Sequence, residues 1–63
     1  MPLAQLYIGK GRSYEQKKKL IEKVTDAIVE SLGSEKNNVW VVLNEVPRSE
    51  WGIGGVPLGP PDK

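Results

Sequence analysis

Ser13-Tyr14-Glu15-Gln16-Lys17-Lys18-Lys19-Leu20-Ile21-Glu22-Lys23-Val24-Thr25-Asp26-Ala27-Ile28-Val29-Glu30-Ser31-Leu32-Gly33 is the stretch that decides the fold. Leu20, Ile21, Val24, Ala27, Ile28 and Leu32 recur at spacings of three and four, the period of one helix face. They predict a single buried stripe. Lys17, Lys18, Lys19, Glu22, Lys23, Asp26 and Glu30 cover much of the other side. Both ends carry stop signals. Ser13 and Gln16 have the spacing of a capping box, in which each side chain satisfies the other residue's backbone N–H. Gly33 stands where a left-handed residue closes a helix.

Working outward from the helix, Leu3-Ala4-Gln5-Leu6-Tyr7-Ile8 reads as a short strand. Gly9-Lys10-Gly11 breaks it with a turn of unusual backbone angles. After the helix, Ser34 to Asn38 is a polar connection. Val39-Trp40-Val41-Val42-Leu43 is rich in β-branched residues and reads as a second strand reaching Glu45 or Val46. Strand, helix and strand make an α+β chain built on a β-α-β unit, with parallel strands and a right-handed crossover. Pro47-Arg48-Ser49-Glu50 is a turn, and Trp51-Gly52-Ile53-Gly54-Gly55-Val56 a short C-terminal hairpin arm. Residues 1–56 form one domain. Residues 57–63 form a Pro-rich extended tail, ordered only where it lies on a neighbour.

The chain has 63 residues, no Cys and no His. A domain this small buries little surface and needs a staple. Disulfides are excluded, and the only side-chain metal ligands are scattered carboxylates. Oligomerisation is the staple that remains. It also answers a second need, because two strands and one helix leave one sheet face bare. A net charge of +1 argues against nucleic acid or a membrane surface as partner. No apolar run approaches a membrane span, and no signal peptide is visible, so a cytoplasmic location is expected.

Without His or Cys, the usual neutral-pH bases and nucleophiles are missing. Pro2 offers another base. If Met1 is removed, Pro2 carries a free secondary amine at the end of a rigid strand. An α-amino group titrates at about 8, and an apolar pocket or a nearby cation moves it down into the useful range. Retention of Met1 acylates this nitrogen and removes the base. Arg12, just before the helix cap, has the planar fork that suits a carboxylate. Trp51, among glycines, suits either a pocket wall or a subunit contact. Trp40 is mid-strand, the pattern of a core or interface residue. Glu45 and Glu50 are candidate acids that nothing in the spacing pairs. Lys17–Lys19 reads as a solvated helix face. Gly9-Lys10-Gly11 is no phosphate loop, for want of a Gly-Lys-Ser/Thr motif.

Met1-Pro2-Leu3-Ala4-Gln5-Leu6, Gly11-Arg12-Ser13 with Glu15-Gln16-Lys17, Val24 through Leu32, and Trp51-Gly52-Ile53-Gly54-Gly55 together resemble the short-chain 4-oxalocrotonate tautomerases, in register from residue 1 to about residue 56. The resemblance implies a β-α-β subunit, a dimer with a four-stranded sheet, and a hexamer built as a trimer of dimers. It implies an amino-terminal proline, here Pro2, that shuttles a proton between oxygen and carbon of an enol or dienol carboxylic acid without metal or organic cofactor. Arg12 matches the arginine that grips a substrate carboxylate. Trp51 falls where the family has an aromatic residue on the apolar side of the pocket.

Two positions depart from the family pattern. Where relatives acting on 4-oxalocrotonate carry an arginine at the second position of the second strand, this chain has Trp40. The arginine that some carry near the C-terminus is also missing, and the tail offers only Lys63 and prolines. An indole cannot replace a bidentate fork. A homo-oligomer is therefore expected to prefer monoacids with an apolar or aromatic end, unless Arg48 swings in from its turn. The leading expectation is a tautomerase. The alternatives are a subunit of a mixed oligomer whose partner chain supplies the missing arginine, a non-catalytic oligomeric relative, and, more weakly, a haloacrylate dehalogenase.

Overall fold

The computed structural model describes residues 1–61 of the chain. β1 (Leu3–Gly9) is followed by α1 (Tyr14–Leu32), a 3₁₀ turn at Lys36–Asn38, β2 (Trp40–Val46), a second 3₁₀ turn at Arg48–Glu50, and the two short strands β3 (Gly52–Ile53) and β4 (Val56–Pro57). β1 and β2 pair in parallel from Leu3↔Trp40 to Gly9↔Val46. β3 and β4 pair antiparallel as a separate hairpin.

The helix begins and ends where its sequence signals stand. The Gln16 N–H donates to Ser13 Oγ at 3.1 Å, and the Ser13 N–H donates to Gln16 Oε1 at 3.0 Å. Gly33 adopts φ 70° and its N–H donates to the Val29 carbonyl at 3.0 Å. The hairpin turns at Gly54 and Gly55, with φ of 62° and 89°. A two-residue turn of this kind needs positive φ at both positions, which an L side chain strains.

The two sheet faces differ. Ala4, Leu6 and Ile8 with Val41 and Leu43 are half-buried on the helix side. The opposite face carries Leu3, Tyr7 and Trp40, exposed by 54, 63 and 55 %. The predicted single buried stripe on α1 is only partly formed. Leu20, Val24 and Ile28 are half-buried, whereas Ile21, Ala27 and Leu32 stay exposed. Two strands span about 10 Å, no wider than a helix with its side chains, so part of the apolar face overhangs the sheet. Lys17 is not simply part of a solvated face. Its ammonium pairs with Glu45 at 3.0 Å and ties α1 to β2, with both side chains about 30 % exposed. Such a pair contributes at most about 1 kcal/mol.

Among the described residues none is fully buried. The Cα radius of gyration is 14.6 Å, against about 10–11 Å for a compact chain of this length. The shortest dimension is 14 Å, one helix-on-sheet layer. The chain is thus a single helix-on-sheet layer with its apolar sheet face turned outward.

The start of the C-terminal segment makes contacts within its own chain. Pro57 is the last hairpin residue, and the Leu58 N–H extends the ladder by donating to the Trp51 carbonyl at 2.8 Å. Gly59 then lies on Arg48 of its own chain. Residues Pro57 to Gly59 therefore have contacts within their own chain. Asp62 and Lys63, the end of the expected tail, lie outside the described residues.

Candidate active site

Because β1 and β2 run parallel, the segments that leave their C-terminal ends emerge side by side. From β1 the chain turns through Gly11, with φ 121°, into the helix cap, and this places Arg12 beside the strand end. Arg12 Nη1 donates to the Gly9 carbonyl at 3.0 Å, which fixes the guanidinium and leaves most of its fork outward. From β2 the chain turns through Pro47 into Arg48–Glu50 and then Trp51. The Lys10 N–H donates to the Val46 carbonyl at 3.1 Å and closes the two exits together.

The result is a cavity of about 410 Å³ lined by Gly9, Lys10, Arg12, Arg48, Trp51 and Leu58. Pockets of this size hold small organic molecules. Arg48 and Lys10 also line a second cavity, of about 430 Å³, with Gly11, Pro47, Pro60 and Pro61. Trp51 also lines a third cavity, of about 340 Å³, with Tyr7, Val46, Glu50 and Gly52. Glu50 therefore faces a cavity, while Glu45 is engaged by Lys17 on the helix side.

Pro2 and Trp40 lie at the opposite end of the strand pair. The Trp40 N–H donates to the Pro2 carbonyl at 3.0 Å, just ahead of the Leu3↔Trp40 pair. The seven residues of β1, at about 3.3 Å each, put roughly 20 Å between Pro2 and the Arg12 cavity. The structure thus brings Arg12, Arg48 and Trp51 together and sets Pro2 and Trp40 apart from them. Sequence reasoning missed Leu58 as a cavity wall. Its signal was faint: one apolar residue in a Pro- and Gly-rich segment, placed by the hairpin register.

Residues 2–60 match the model of the tautomerase family of enzymes. The chain belongs to the tautomerase family. A 2-hydroxymuconate tautomerase of Comamonas testosteroni is 55 % identical over 56 residues, covering 89 % of both proteins. A 4-oxalocrotonate tautomerase isozyme from Methylibium petroleiphilum, 51 % identical, superposes with a TM-score of 0.86 over 90 % of this chain and 92 % of its own. A heterohexameric 4-oxalocrotonate tautomerase from Chloroflexus aurantiacus, 29 % identical, superposes with a TM-score of 0.87 over 92 % and 94 %. The chain is an isomerase of the 4-oxalocrotonate tautomerase kind, with the β-α-β fold that its sequence resemblance implied. No described helix is long and apolar enough to cross a membrane.

Proposed function

We propose that the chain converts an enol or dienol carboxylic acid of the 2-hydroxymuconate kind to its keto tautomer, in a site shared between protomers. The observation that carries this reading is the separation of Pro2 from the Arg12 cavity by a whole strand. A small acid cannot span roughly 20 Å, so the base of one protomer must meet the carboxylate grip of another. The outward apolar face of Leu3, Tyr7, Trp40 and Val42 supports such an assembly. A hexamer built from dimers satisfies it, and a cytoplasmic location belongs to the same proposal.

In this reading Pro2, freed by removal of Met1, takes the proton from the enol hydroxyl. The O–H electron pair becomes the carbonyl π bond, and the carbon–carbon double bonds shift along the chain. The same nitrogen returns the proton at the carbon where the shift ends, so atoms and charge balance without a co-reactant. Arg12 holds the carboxylate and stabilises negative charge as it spreads through the conjugated chain. Trp51 and Leu58 keep that cavity apolar on one side. Trp40, beside Pro2, shapes the approach to the base.

The test is the rate of ketonisation of a purified enol acid by protein whose intact mass shows Met1 removed. Protein retaining Met1 should lose on the order of 10²- to 10⁴-fold in kcat/KM, the usual range for general-base catalysis. Equal rates for the two forms would sink the assignment of Pro2. The pH profile of the processed form should rise along a limb at or below about pH 8, where an α-amino group becomes neutral.

A second reading is favoured by Trp40 at the expected arginine position and by the heterohexameric relative. In it, a related chain supplies a strand arginine to a mixed oligomer. Protein that is inert alone and active when mixed with such a chain would establish this reading over the first.

A further inference from the structure

We propose that Arg48 is a second carboxylate anchor of this site, braced by Gly59, so that a single protomer supplies both guanidinium groups. The inference rests on the tautomerase reading above and assigns, within it, the residues that hold the second carboxylate in place of the arginine that Trp40 displaces.

Arg48 lines the same cavity as Arg12, with Trp51 and Leu58 as its apolar wall. Among the described residues no carboxylate pairs with Arg48, and Arg12 contacts only a neutral carbonyl. Two guanidinium groups lining one cavity, neither paired with a carboxylate among the described residues, match two carboxylates joined by a short carbon chain. Bidentate geometry suits each of them.

The C-terminal segment provides the brace. The hairpin ladder runs on to Leu58, whose N–H is held by the Trp51 carbonyl, and so delivers Gly59 onto the Arg48 stem. A Cβ at Gly59 would stand 2.9 Å from Arg48 Cβ and 3.4 Å from its Cδ. The Arg48 Cβ is fixed by its backbone and cannot swing aside. Only glycine lets the segment lie this close. Gly59 is thereby a positioning residue: it limits where the guanidinium can go and reduces the ordering that binding would otherwise require.

The experiment is calorimetric titration of the processed oligomer with two unreactive acids, a saturated six-carbon dicarboxylate and the six-carbon monocarboxylate. The unmodified protein should prefer the dicarboxylate. Arg48→Ala should weaken the dicarboxylate on the order of 10- to 100-fold, the worth of a charged hydrogen-bond pair, and the monocarboxylate by less than about threefold. Arg48→Lys should recover part of the loss. Gly59→Ala should give a smaller loss confined to the dicarboxylate, with the far-UV circular dichroism unchanged. In turnover of a dienol dicarboxylate, Arg48→Ala should raise KM far more than it lowers kcat. Equal losses for both acids, no loss, or no preference in the unmodified protein would overturn the proposal. Failure of the tautomerase reading looks different: no enol acid is turned over, while Arg48-dependent dicarboxylate binding persists.

Discussion

The two ends of the β1–β2 pair are built for opposite tasks. At one end Pro2 and Trp40 offer a potential amine and an indole, held together by one backbone hydrogen bond and with no cation between them. At the other end Arg12, Arg48 and Lys10 gather around Trp51 and Leu58. Chain direction produces the asymmetry. Parallel strands send both of their exits, with their polar turns, to the same end, and leave the other end to the amino terminus. In the proposed function neither end is a reaction site alone. The comparison teaches that the proposed chemistry requires assembly, with the outward sheet face as the place where the two ends of different protomers would be brought together.

The strongest way to break this picture is to stop the assembly. Val42 lies on the bare face of β2. Val42→Asp would bury an unpaired carboxylate in any contact made there, at a penalty of several kcal/mol. Sedimentation should then show smaller species, and ketonisation should fall to background. A dissociated protein that kept its activity would show that one protomer closes its own site. Arg12→Ala comes next. Removing the charged partner of a bound, desolvated carboxylate costs roughly 2–5 kcal/mol, or about 30-fold to several thousand-fold in kcat/KM. The loss should appear with monoacid and dicarboxylate alike, because both need the first anchor.

Trp40→Arg sharpens the comparison by placing a cation at the end that lacks one. If Arg48 serves as second anchor, as proposed, a gain in kcat/KM for a dicarboxylate dienol should stay under about tenfold. A hundredfold gain would show instead that the unmodified site wants an arginine and that the mixed oligomer is its natural setting. The smallest effect is expected far from either end. Ser13→Ala removes half of the capping box and should lower unfolding stability by about 1 kcal/mol, read from denaturant midpoints, while Arg12 stays tied to the Gly9 carbonyl. A large loss of activity there would mean that the cap holds Arg12 in place.

Much of this was legible from local signals. The helix from Tyr14 to Leu32 follows from apolar periodicity and from Ser13, Gln16 and Gly33, because caps and period are properties of neighbours in sequence. The parallel strands follow from connection length. The Gly54-Gly55 turn follows from the positive φ that its geometry requires. Pro2, Arg12 and Trp51 were nameable as candidates from residue type and from the family resemblance.

Other features depend on residues distant in sequence. That Arg48 shares a cavity with Arg12 depends on the exits of two strands meeting, 36 positions apart by residue number. That Leu58 lines this cavity and that Gly59 lies against Arg48 depends on hairpin register and on a 2.9 Å approach that only a glycine tolerates. That Ile21, Ala27 and Leu32 remain exposed depends on the width of the sheet beneath them, which a periodic pattern cannot report. By itself the sequence determined the helix, its caps, the strand pairing and the family, since these rest on local geometry and on resemblance in register. The tertiary structure alone decided which cations share a cavity and how far they stand from Pro2, because those relations are distances between residues that the chain keeps apart.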